Sequence, residues 1–160
     1  MAITPGSTET AEMMFGCLKR MGRLIDAELS EVGLSLSRTK LLCELRNNGP
    51  LNQSALAVTF GLAPRTVTEL VDTLERDGLV ERRPDPGDRR ARHVHLTPAG
   101  EQARARGMAI KKQLTDRVLG ALSDEQRTSL SSTMHLILVE IDKIDADNTP
   151  TDGNAHKNVS

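Results

Sequence analysis

An arginine-rich turn that runs into a short alternating strand is the feature that most constrains the fold of this chain. The segment from Asp85 to Thr97 reads Asp-Pro-Gly-Asp-Arg-Arg-Ala-Arg-His-Val-His-Leu-Thr. Between Arg82 and Arg92, five arginines stand against two aspartates, so the turn carries local positive charge. Just upstream, residues 62–78 repeat apolar side chains at helical spacing. A short helix beside a basic hairpin has a shape that can enter one groove of DNA and reach into the next.

The overall composition is that of an ordinary globular protein. With 160 residues, 38% hydrophobic and 27% charged, the chain suits one domain or a small domain with helical extensions. No apolar run approaches the roughly 20 residues that span a bilayer, and the N-terminus lacks a basic segment followed by an apolar core. We therefore expect a cytoplasmic protein without a membrane partner. Two Phe, no Tyr and no Trp predict an aliphatic core and argue against binding single strands by aromatic stacking.

The first part of the chain has helical periodicity. Apolar residues recur at three- and four-residue steps over residues 9–32, which predicts a long amphipathic helix stopped by Gly33. Ser35 or Ser37 can cap a second helix, which ends by turn chemistry at Asn47-Asn-Gly-Pro50.

Two short helices joined by a tight turn come next. Asn52 is a good N-cap for a helix from Gln53 to Phe60, and Gly61 stands where a left-handed C-terminal residue is wanted. Pro64 suits the first position of the following helix, because its missing N–H would be unpaired there anyway. Together these signals predict a helix-turn-helix.

A strand, a turn and a returning strand follow. We expect strands at Leu79–Arg83 and Arg92–Leu96, joined by a turn at Pro84–Arg90, with Val94 and Leu96 facing inward. Such a hairpin after a helix-turn-helix is a wing. Thr97 then caps a long helix that opens with a proline and extends to about Leu122.

A second long helix closes the chain. Ser123-Asp-Glu-Gln126 is a capping box, so we expect this helix to begin there and run to about Asp145. Its apolar residues form one stripe, which comprises Leu130, Met134, Ile137, Leu138, Ile141 and Ile144. Residues 147–160 have no periodicity, which predicts a disordered tail.

The order of these elements and two motifs resemble the MarR family of bacterial winged helix-turn-helix regulators. The segment Asp88-Arg-Arg-Ala-Arg-His-Val-His-Leu-Thr97 is similar to the family's wing signature of Asp, one residue, Arg, five residues and Leu-Thr. The segment Thr66-Val-Thr-Glu-Leu-Val-Asp-Thr-Leu-Glu-Arg-Asp-Gly-Leu-Val80 resembles its recognition helix and the exit into the wing. The resemblance, over roughly residues 10–145, implies a mainly α fold with an α+β winged helix. Residues 35–97 would form the DNA-binding lobe, and residues 9–34 and 98–146 the dimerisation helices.

The fourth helix carries the candidate base-reading residues. If it lies in the major groove, the outward residues of its N-terminal half can reach base edges; these are Arg65, Thr66, Thr68 and Glu69. Arg65 has the donors to bind a guanine with two hydrogen bonds. Ala63 departs from the family, in which Ser or Asp caps this helix, so its free N–H groups stay available to a phosphate. The alternative is an ordinary solvated helix face.

The wing arginines have a separate predicted role. The resemblance places Arg90 at the family position that reaches the minor groove, with Arg89 and Arg92 as phosphate or further minor-groove contacts. We expect Asp88 to hold the turn by pairing with an arginine. The alternative is a salt-bridged surface hairpin.

Long apolar stripes on the first, fifth and sixth helices exceed what one small winged lobe can bury. The resemblance implies that they interdigitate with a second copy, so that a homodimer would bind an inverted-repeat operator. The alternative is an intramolecular bundle. We expect a small-molecule effector to bind between these helices and the DNA-binding lobe, against Met14, Phe15, Leu18 and Leu41, and to release the DNA.

The cysteines and histidines suggest other kinds of site. Cys17 lies on the first helix, where a branch of the family senses hydroperoxides. That branch relies on tyrosines, and this chain has none, so we expect an inert buried cysteine there and a core position for Cys43. His93 and His95 face one way along a strand, which is the arrangement of a metal pair and also of an outer wing face. No cofactor, metal or catalytic motif is evident, so we expect no enzyme.

The sequence therefore predicts a ligand-responsive DNA-binding repressor. Two alternatives stay open. One is a regulator that senses redox state through Cys17. The other is a winged-helix protein-interaction module that does not bind DNA.

Overall fold

The computed structural model describes residues 6–84 and 92–148, which form six helices and three strands. In chain order these are α1 (Ser7–Ser30), α2 (Leu36–Asn48), β1 (Leu51–Asn52), α3 (Gln53–Phe60), α4 (Pro64–Arg76), β2 (Val80–Pro84), β3 (Arg92–Leu96), α5 (Pro98–Leu119) and α6 (Asp124–Asn148). The contacts divide the chain into two compact units, Met1–Thr115 and Asp116–Ser160. The mainly helical winged-helix fold expected from the sequence is confirmed.

The local signals that delimit the helices act as predicted. Ser35 caps α2 by accepting a hydrogen bond from the backbone N–H of Arg38 at 3.2 Å. Asn52 caps α3 in the same way, accepting from the N–H of Ala55 at 2.8 Å. Gly61 ends α3 in the left-handed conformation, with φ of 60°, which glycine adopts at little cost.

The sheet contains one strand that the sequence patterns did not reveal. β3 lies in the middle and pairs antiparallel with both β2 and β1. The β1 strand is only two residues long, Leu51 facing Val94 and Asn52 facing His93, and so short a run carries no alternation to detect. This pairing ties the start of α3 to the wing.

An aliphatic core fills the first unit, as the scarcity of aromatic residues predicted. Leu29 of α1, Leu41 of α2, Leu56 of α3, Val71 of α4 and Val94 of β3 are all completely buried. Because every element of the winged lobe places a branched side chain in this cluster, the position of each helix and strand depends on the others.

Two glycines on α5 allow close contacts in this unit. A Cβ at Gly100 would lie 2.0 Å from the carbonyl oxygen of Leu79, and a Cβ at Gly107 would lie 2.8 Å from Oγ1 of Thr39. Neither separation is tolerated without movement. Glycine at these positions therefore lets α5 approach the start of the wing and the α2 helix directly.

The second unit contains the end of α5 and all of α6. The capping box at its start is confirmed, since Ser123 N–H donates to Gln126 Oε1 at 2.9 Å and Gln126 N–H donates to Ser123 Oγ at 3.3 Å. The α5 helix ends at Leu119 instead of about Leu122, and α6 extends to Asn148. Residues 147 and 148, assigned to the disordered tail, are therefore helical, while 149–160 lie outside the described residues. Within the described ranges, no helix combines the length and hydropathy needed to cross a bilayer.

Candidate nucleic-acid interface

The α4 helix presents a polar N-terminal half to solvent. Arg65, Thr66, Thr68 and Glu69 are all exposed, as the helical spacing predicted, and the Arg65 side chain is 91% exposed. On the opposite face, Val67, Val71 and Leu74 are fully buried. The apolar face therefore fixes the helix in the lobe and leaves the predicted base-reading residues free to meet another molecule.

Local contacts hold these side chains in place. Nε of Arg65 donates to Oε1 of Glu69 at 2.9 Å, one helical turn away. Such an exposed pair contributes well under about 1 kcal/mol, so Arg65 can exchange this partner for a base or a phosphate at little cost. Thr68 Oγ1 donates to the carbonyl oxygen of Pro64 at 3.0 Å. The N-cap Ala63 makes no side-chain cap, so the first N–H groups of α4 stay open.

The wing stem is an antiparallel hairpin with defined register. Val80 pairs with Leu96, and the ladder ends where Pro84 pairs with Arg92. Arg92 is exposed at this end. Asp88, Arg89 and Arg90 lie outside the described residues, so their predicted roles stay predictions. The stem nevertheless fixes where the segment between Pro84 and Arg92 begins and ends.

Arg82 has a different environment from Arg83 and Arg92, the other arginines of the cluster that the structure describes. Its side chain, only 13% exposed, forms ion pairs with Asp72 and Glu75 on α4, and its backbone N–H donates to Glu75 at 2.8 Å. Gln53 at the start of α3 is a further acceptor, 3.5 Å away. Arg82 thus holds β2 against α4. Burial by itself would lower the pKa of Arg82, but the hydrogen bonds to Asp72 and Glu75 outweigh it and raise the pKa.

The sequence contained a signal for this contact. Asp72 and Glu75 stand three residues apart, so they lie on one side of α4 and point an acidic pair at whatever packs there. The neighbouring Arg83 is exposed and pairs with Glu81 on its own strand. A second long-range ion pair joins Arg38 of α2 to Asp77 at the end of α4.

A pocket of about 520 Å³ lies in the first unit between α1, α2 and α5. Its apolar wall is formed by Leu29, Leu36 and Met108, and its polar wall includes Lys40, Arg104 and Lys111. No carboxylate is among its lining residues. It is therefore an amphipathic cavity with three cationic side chains.

The residues assigned to an effector pocket from the sequence do not line this cavity. Leu41 is completely buried in the core, so it does not line this cavity, and its assignment to an effector site stays a prediction. Met14 is half-buried, and Phe15 and Leu18 are exposed on α1. The periodicity could assign residues to a helix face, but it could not tell which face of α2 meets α5.

Two cations of this pocket have partners in the lobe. Nζ of Lys40 lies 4.9 Å from the ring centroid of Phe60, the last residue of α3. Arg104 donates two hydrogen bonds to the Glu101 carboxylate, at 2.8 and 3.0 Å. These bonds to Glu101, followed by contact with Cys43, raise the pKa of Arg104, so its charge is permanent.

The two cysteines are free and lie in different environments. Cys17 is exposed on α1, which corrects the expectation of a buried position, because its side chain points away from the lobe. Cys43 is partly buried and lines the pocket instead of filling the core. His93 and His95 are both half-buried on β3. Within the described residues, no group of three or more His, Cys, Asp or Glu could hold a metal ion.

Large apolar side chains remain exposed on the long helices. On α1, Met13, Phe15 and Leu18 are exposed, with Phe15 at 63%. On α6, no residue of Asp124–Asn148 is buried, and the stripe predicted from the sequence has Ile137, Leu138, Ile141 and Ile144 in contact with solvent. Apolar faces of this extent on a single chain mark an interaction surface.

Comparisons with known proteins agree with this architecture. A family model described as the MarR family matches residues 34–91. A helix-turn-helix transcriptional regulator of Mycobacterium leprae is 30% identical over 125 residues, which cover 78% of this chain and 87% of that protein. The transcriptional repressor NicR of Pseudomonas putida is 32% identical over 89 residues, 56% of each chain, so the chain spans about half of the length of that relative.

One solved structure has the same fold. It is a mutant of MarR from Escherichia coli complexed with operator DNA, and it superposes with a TM-score of 0.70 at 22% identity. The match covers 80% of this chain and 92% of that one.

Proposed function

The chain belongs to the MarR family, and from this membership we propose that it is a transcriptional regulator that binds double-stranded DNA sequence-specifically. The observation that carries the proposal is that the exposed polar half of α4 is followed in the chain by an arginine-rich wing. The exposed residues of this half are Arg65, Thr66, Thr68 and Glu69. In this geometry α4 lies in the major groove and the wing reaches an adjacent minor groove. The operator-bound structure with the same fold supports this arrangement.

Base reading and affinity are assigned to different elements. The exposed charged residues of α4 are two arginines, Arg65 and Arg76, against two acids, Glu69 and Asp72. This helix therefore supplies little attraction for phosphates. We assign most of the electrostatic affinity to Arg89, Arg90 and Arg92 of the wing, which should make binding depend steeply on salt.

The DNA-binding unit is proposed to be a homodimer. The apolar faces of α1 and α6 are exposed in the single chain and need a partner to cover them. Two copies related by a twofold axis would place two α4 helices in successive major grooves, so the operator should be an inverted repeat.

We propose that the protein acts in the cytoplasm as a repressor and that a small molecule relieves the repression. We propose no enzymatic activity for it. NicR, a relative by sequence, is named a repressor. The pocket between α1, α2 and α5 is the candidate effector site, and its cations Lys40, Arg104 and Lys111 suit an anion. Met14, Phe15 and Leu18 stay as contacts that a second copy could complete. A ligand would release DNA only if it bound the DNA-incompetent state more tightly.

The test is selection from random duplexes followed by footprinting of the selected site. We expect an inverted repeat protected in two major grooves, with flanking minor-groove protection from the wings. Arg65→Ala should relax base preference at one position of each half-site, while Arg90→Ala and Arg92→Ala should weaken binding to all sequences and reduce its salt dependence. Arg46→Ala is the matched control, because this exposed arginine lies on α2 and pairs with Glu101 of α5.

Two results would redirect the proposal. Equal, weak binding of every duplex would favour a protein-interaction module over a DNA-binding regulator. A peroxide response that Cys17→Ser abolishes would favour the redox-sensing alternative, for which exposure of Cys17 on α1 is the supporting observation.

A further inference from the structure

The ion pair between Arg65 and Glu69 leaves part of the guanidinium free. Nε of Arg65 donates to Oε1 of Glu69 at 2.9 Å. The remaining N–H donors of an arginine are carried by its two terminal nitrogens, Nη1 and Nη2. Within residues 6–84 and 92–148, these terminal nitrogens of Arg65 have no hydrogen-bond partner. The carboxylate thus holds the inner end of the guanidinium and leaves the donors of its outer end available.

The order and the position of this pair do not favour helix stability. Arg65 lies in the first turn of α4, where the helix dipole disfavours a cation, and this turn contains no acid and no side-chain cap. An arginine four residues before a glutamate is also the less stabilising order of such a pair. Because helix stability does not explain the pair, a role in binding accounts better for its place on the exposed half of α4.

The other acids on this side of α4 have a different partner. Asp72 and Glu75 both pair with Arg82 of β2. Glu69 has Arg65 as its only ionic partner in the part of the chain that the structure describes. The acids of the helix thus divide into two that hold β2 and one that holds Arg65.

We propose that Glu69 is a positioning residue that fixes Arg65 for recognition of guanine. This inference rests on the proposed function and deepens it, because it assigns a base to one contact of α4. With Nε held by the carboxylate, Nη1 and Nη2 donate together to O6 and N7 of a guanine in the major groove. Adenine presents an amino group in place of O6, so one of the two bonds is lost. Guanine is therefore preferred over adenine at this position.

The carboxylate raises base preference in two ways. A free arginine side chain has many rotamers, and those that reach phosphates carry no sequence information. The bond to Glu69 restricts these rotamers before DNA binds, which lowers the entropy cost of docking on a base. The negative charge of Glu69 also opposes an approach of the pair to phosphates. Both effects favour contact with a base over contact with the backbone.

The experiment measures base preference along the operator for the full-length protein. Selection from random duplexes gives the preferred site, and competition gel shifts then compare the four bases at each position of a half-site. Arg65→Ala identifies the position that Arg65 reads, and we expect guanine there. Glu69→Ala should lower the preference for guanine over adenine at that same position by roughly tenfold, within the discrimination that one bidentate contact supplies.

Two further variants test whether Glu69 acts through its hydrogen bond to Arg65. Glu69→Gln removes the same charge as Glu69→Ala but keeps an oxygen that accepts from Nε. Both variants should bind mixed-sequence DNA more tightly to the same extent, and only Glu69→Gln should retain most of the guanine preference. The double variant with Arg65→Ala and Glu69→Ala should have the same base preference as Arg65→Ala, because Glu69 has no effect without its arginine.

Failure of this inference is distinguishable from failure of the proposed function. If the protein selects an operator, the inference is overturned by a base other than guanine at the Arg65 position or by an unchanged preference in Glu69→Ala. It is also overturned by equal losses in Glu69→Ala and Glu69→Gln, which would assign the effect to charge alone. A loss at a different position would show that Glu69 reads a base itself. No sequence preference in the unmodified protein would overturn the proposed function and this inference together.

Discussion

At the scale of single residues, Arg82 is the member of the basic stretch to which the fold gives a structural role. By sequence it is one of five arginines in a basic stretch. In the fold its guanidinium faces Asp72 and Glu75, and it joins β2 to α4. Any effect of this residue on DNA binding should therefore act through the position of the wing.

We expect Arg82→Met to lower the free energy of unfolding by about 1–2 kcal/mol, because it leaves two carboxylates of α4 close together without their cation. The value is at the low end for a lost ion pair because both carboxylates are partly exposed. Urea denaturation measures the change. Arg83→Met is the control, since Arg83 is exposed and pairs with Glu81 on its own strand; it should cost less than about 0.5 kcal/mol. Equal losses for the two variants would contradict the assigned role.

His95 on β3 should titrate below its ordinary pKa of about 6.5. Burial lowers the pKa of His95, and the charge of Arg83 lowers it further, although Glu81 opposes the shift. The neutral ring is therefore favoured in the folded state, so the unfolded chain binds more protons between the two pKa values. The contribution of neutral His95 to the free energy of unfolding should be fully present above about pH 6.5. It should be lost as the pH drops through the folded pKa of His95.

NMR titration of the His95 ring protons gives the folded pKa directly. Denaturation at several pH values then tests the linkage, since His95→Gln should flatten the pH dependence between pH 5 and 7, about the range in which histidine titrates. A His95 midpoint at or above its ordinary value would show that burial does not dominate here.

At the scale of elements, the contact between α2 and α5 depends on a missing side chain. Gly107 is buried, and an added Cβ would lie 2.8 and 2.9 Å from Oγ1 and Cγ2 of Thr39. Alanine is the better helix former by about 1 kcal/mol, so propensity and packing make opposite predictions for this position. The short distances indicate that packing outweighs propensity.

Gly107→Ala should therefore destabilise the protein, by about 1–2 kcal/mol, because overpacking costs more than the gain in helix propensity. Thermal or urea denaturation measures it. Combining it with Thr39→Ala, which removes both contacting atoms, should restore most of the stability. If the double variant were no more stable than Gly107→Ala, the clash with Thr39 would not be the cause.

At the scale of the whole molecule, the α6 helix has an apolar stripe but no buried residue. Ile137, Ile141 and Ile144 are 37%, 46% and 52% exposed. Covering this surface would favour association, since removing apolar surface from water stabilises a complex by about 25 cal/mol per Å². This is the physical basis for the proposed homodimer.

Ile137→Asp should convert the dimer to a monomer at micromolar concentration, because it would place a carboxylate in the apolar interface. Analytical ultracentrifugation reads the mass, and gel shifts should show a parallel loss of operator affinity. Ser132→Glu is the control, since Ser132 lies on the opposite side of α6 by helical spacing. Dimerisation that survived Ile137→Asp but not Ser132→Glu would place the interface on the other face.

The ends of the helices were predictable from the sequence in considerable detail. The Asn52 cap, the Gly61 turn, the first-turn Pro64 and the capping box at Ser123 all act within a few residues of where they stand. The exposed face of α4 followed from periodicity for the same reason. The β1 strand was missed, since two residues have no pattern of their own and acquire strand structure only by pairing with β3.

The sequence by itself determined the order and type of the elements other than β1, and the exposed polar face of α4, because caps, turns and periodicity are short-range effects. Only the tertiary structure decided that Arg82 turns inward, that Leu41 is sealed in the core and that Cys43 meets Arg104 and Lys111 at a pocket. These outcomes join residues tens of positions apart in the chain. They depend on which faces of the helices pack together, and no local pattern contains that information.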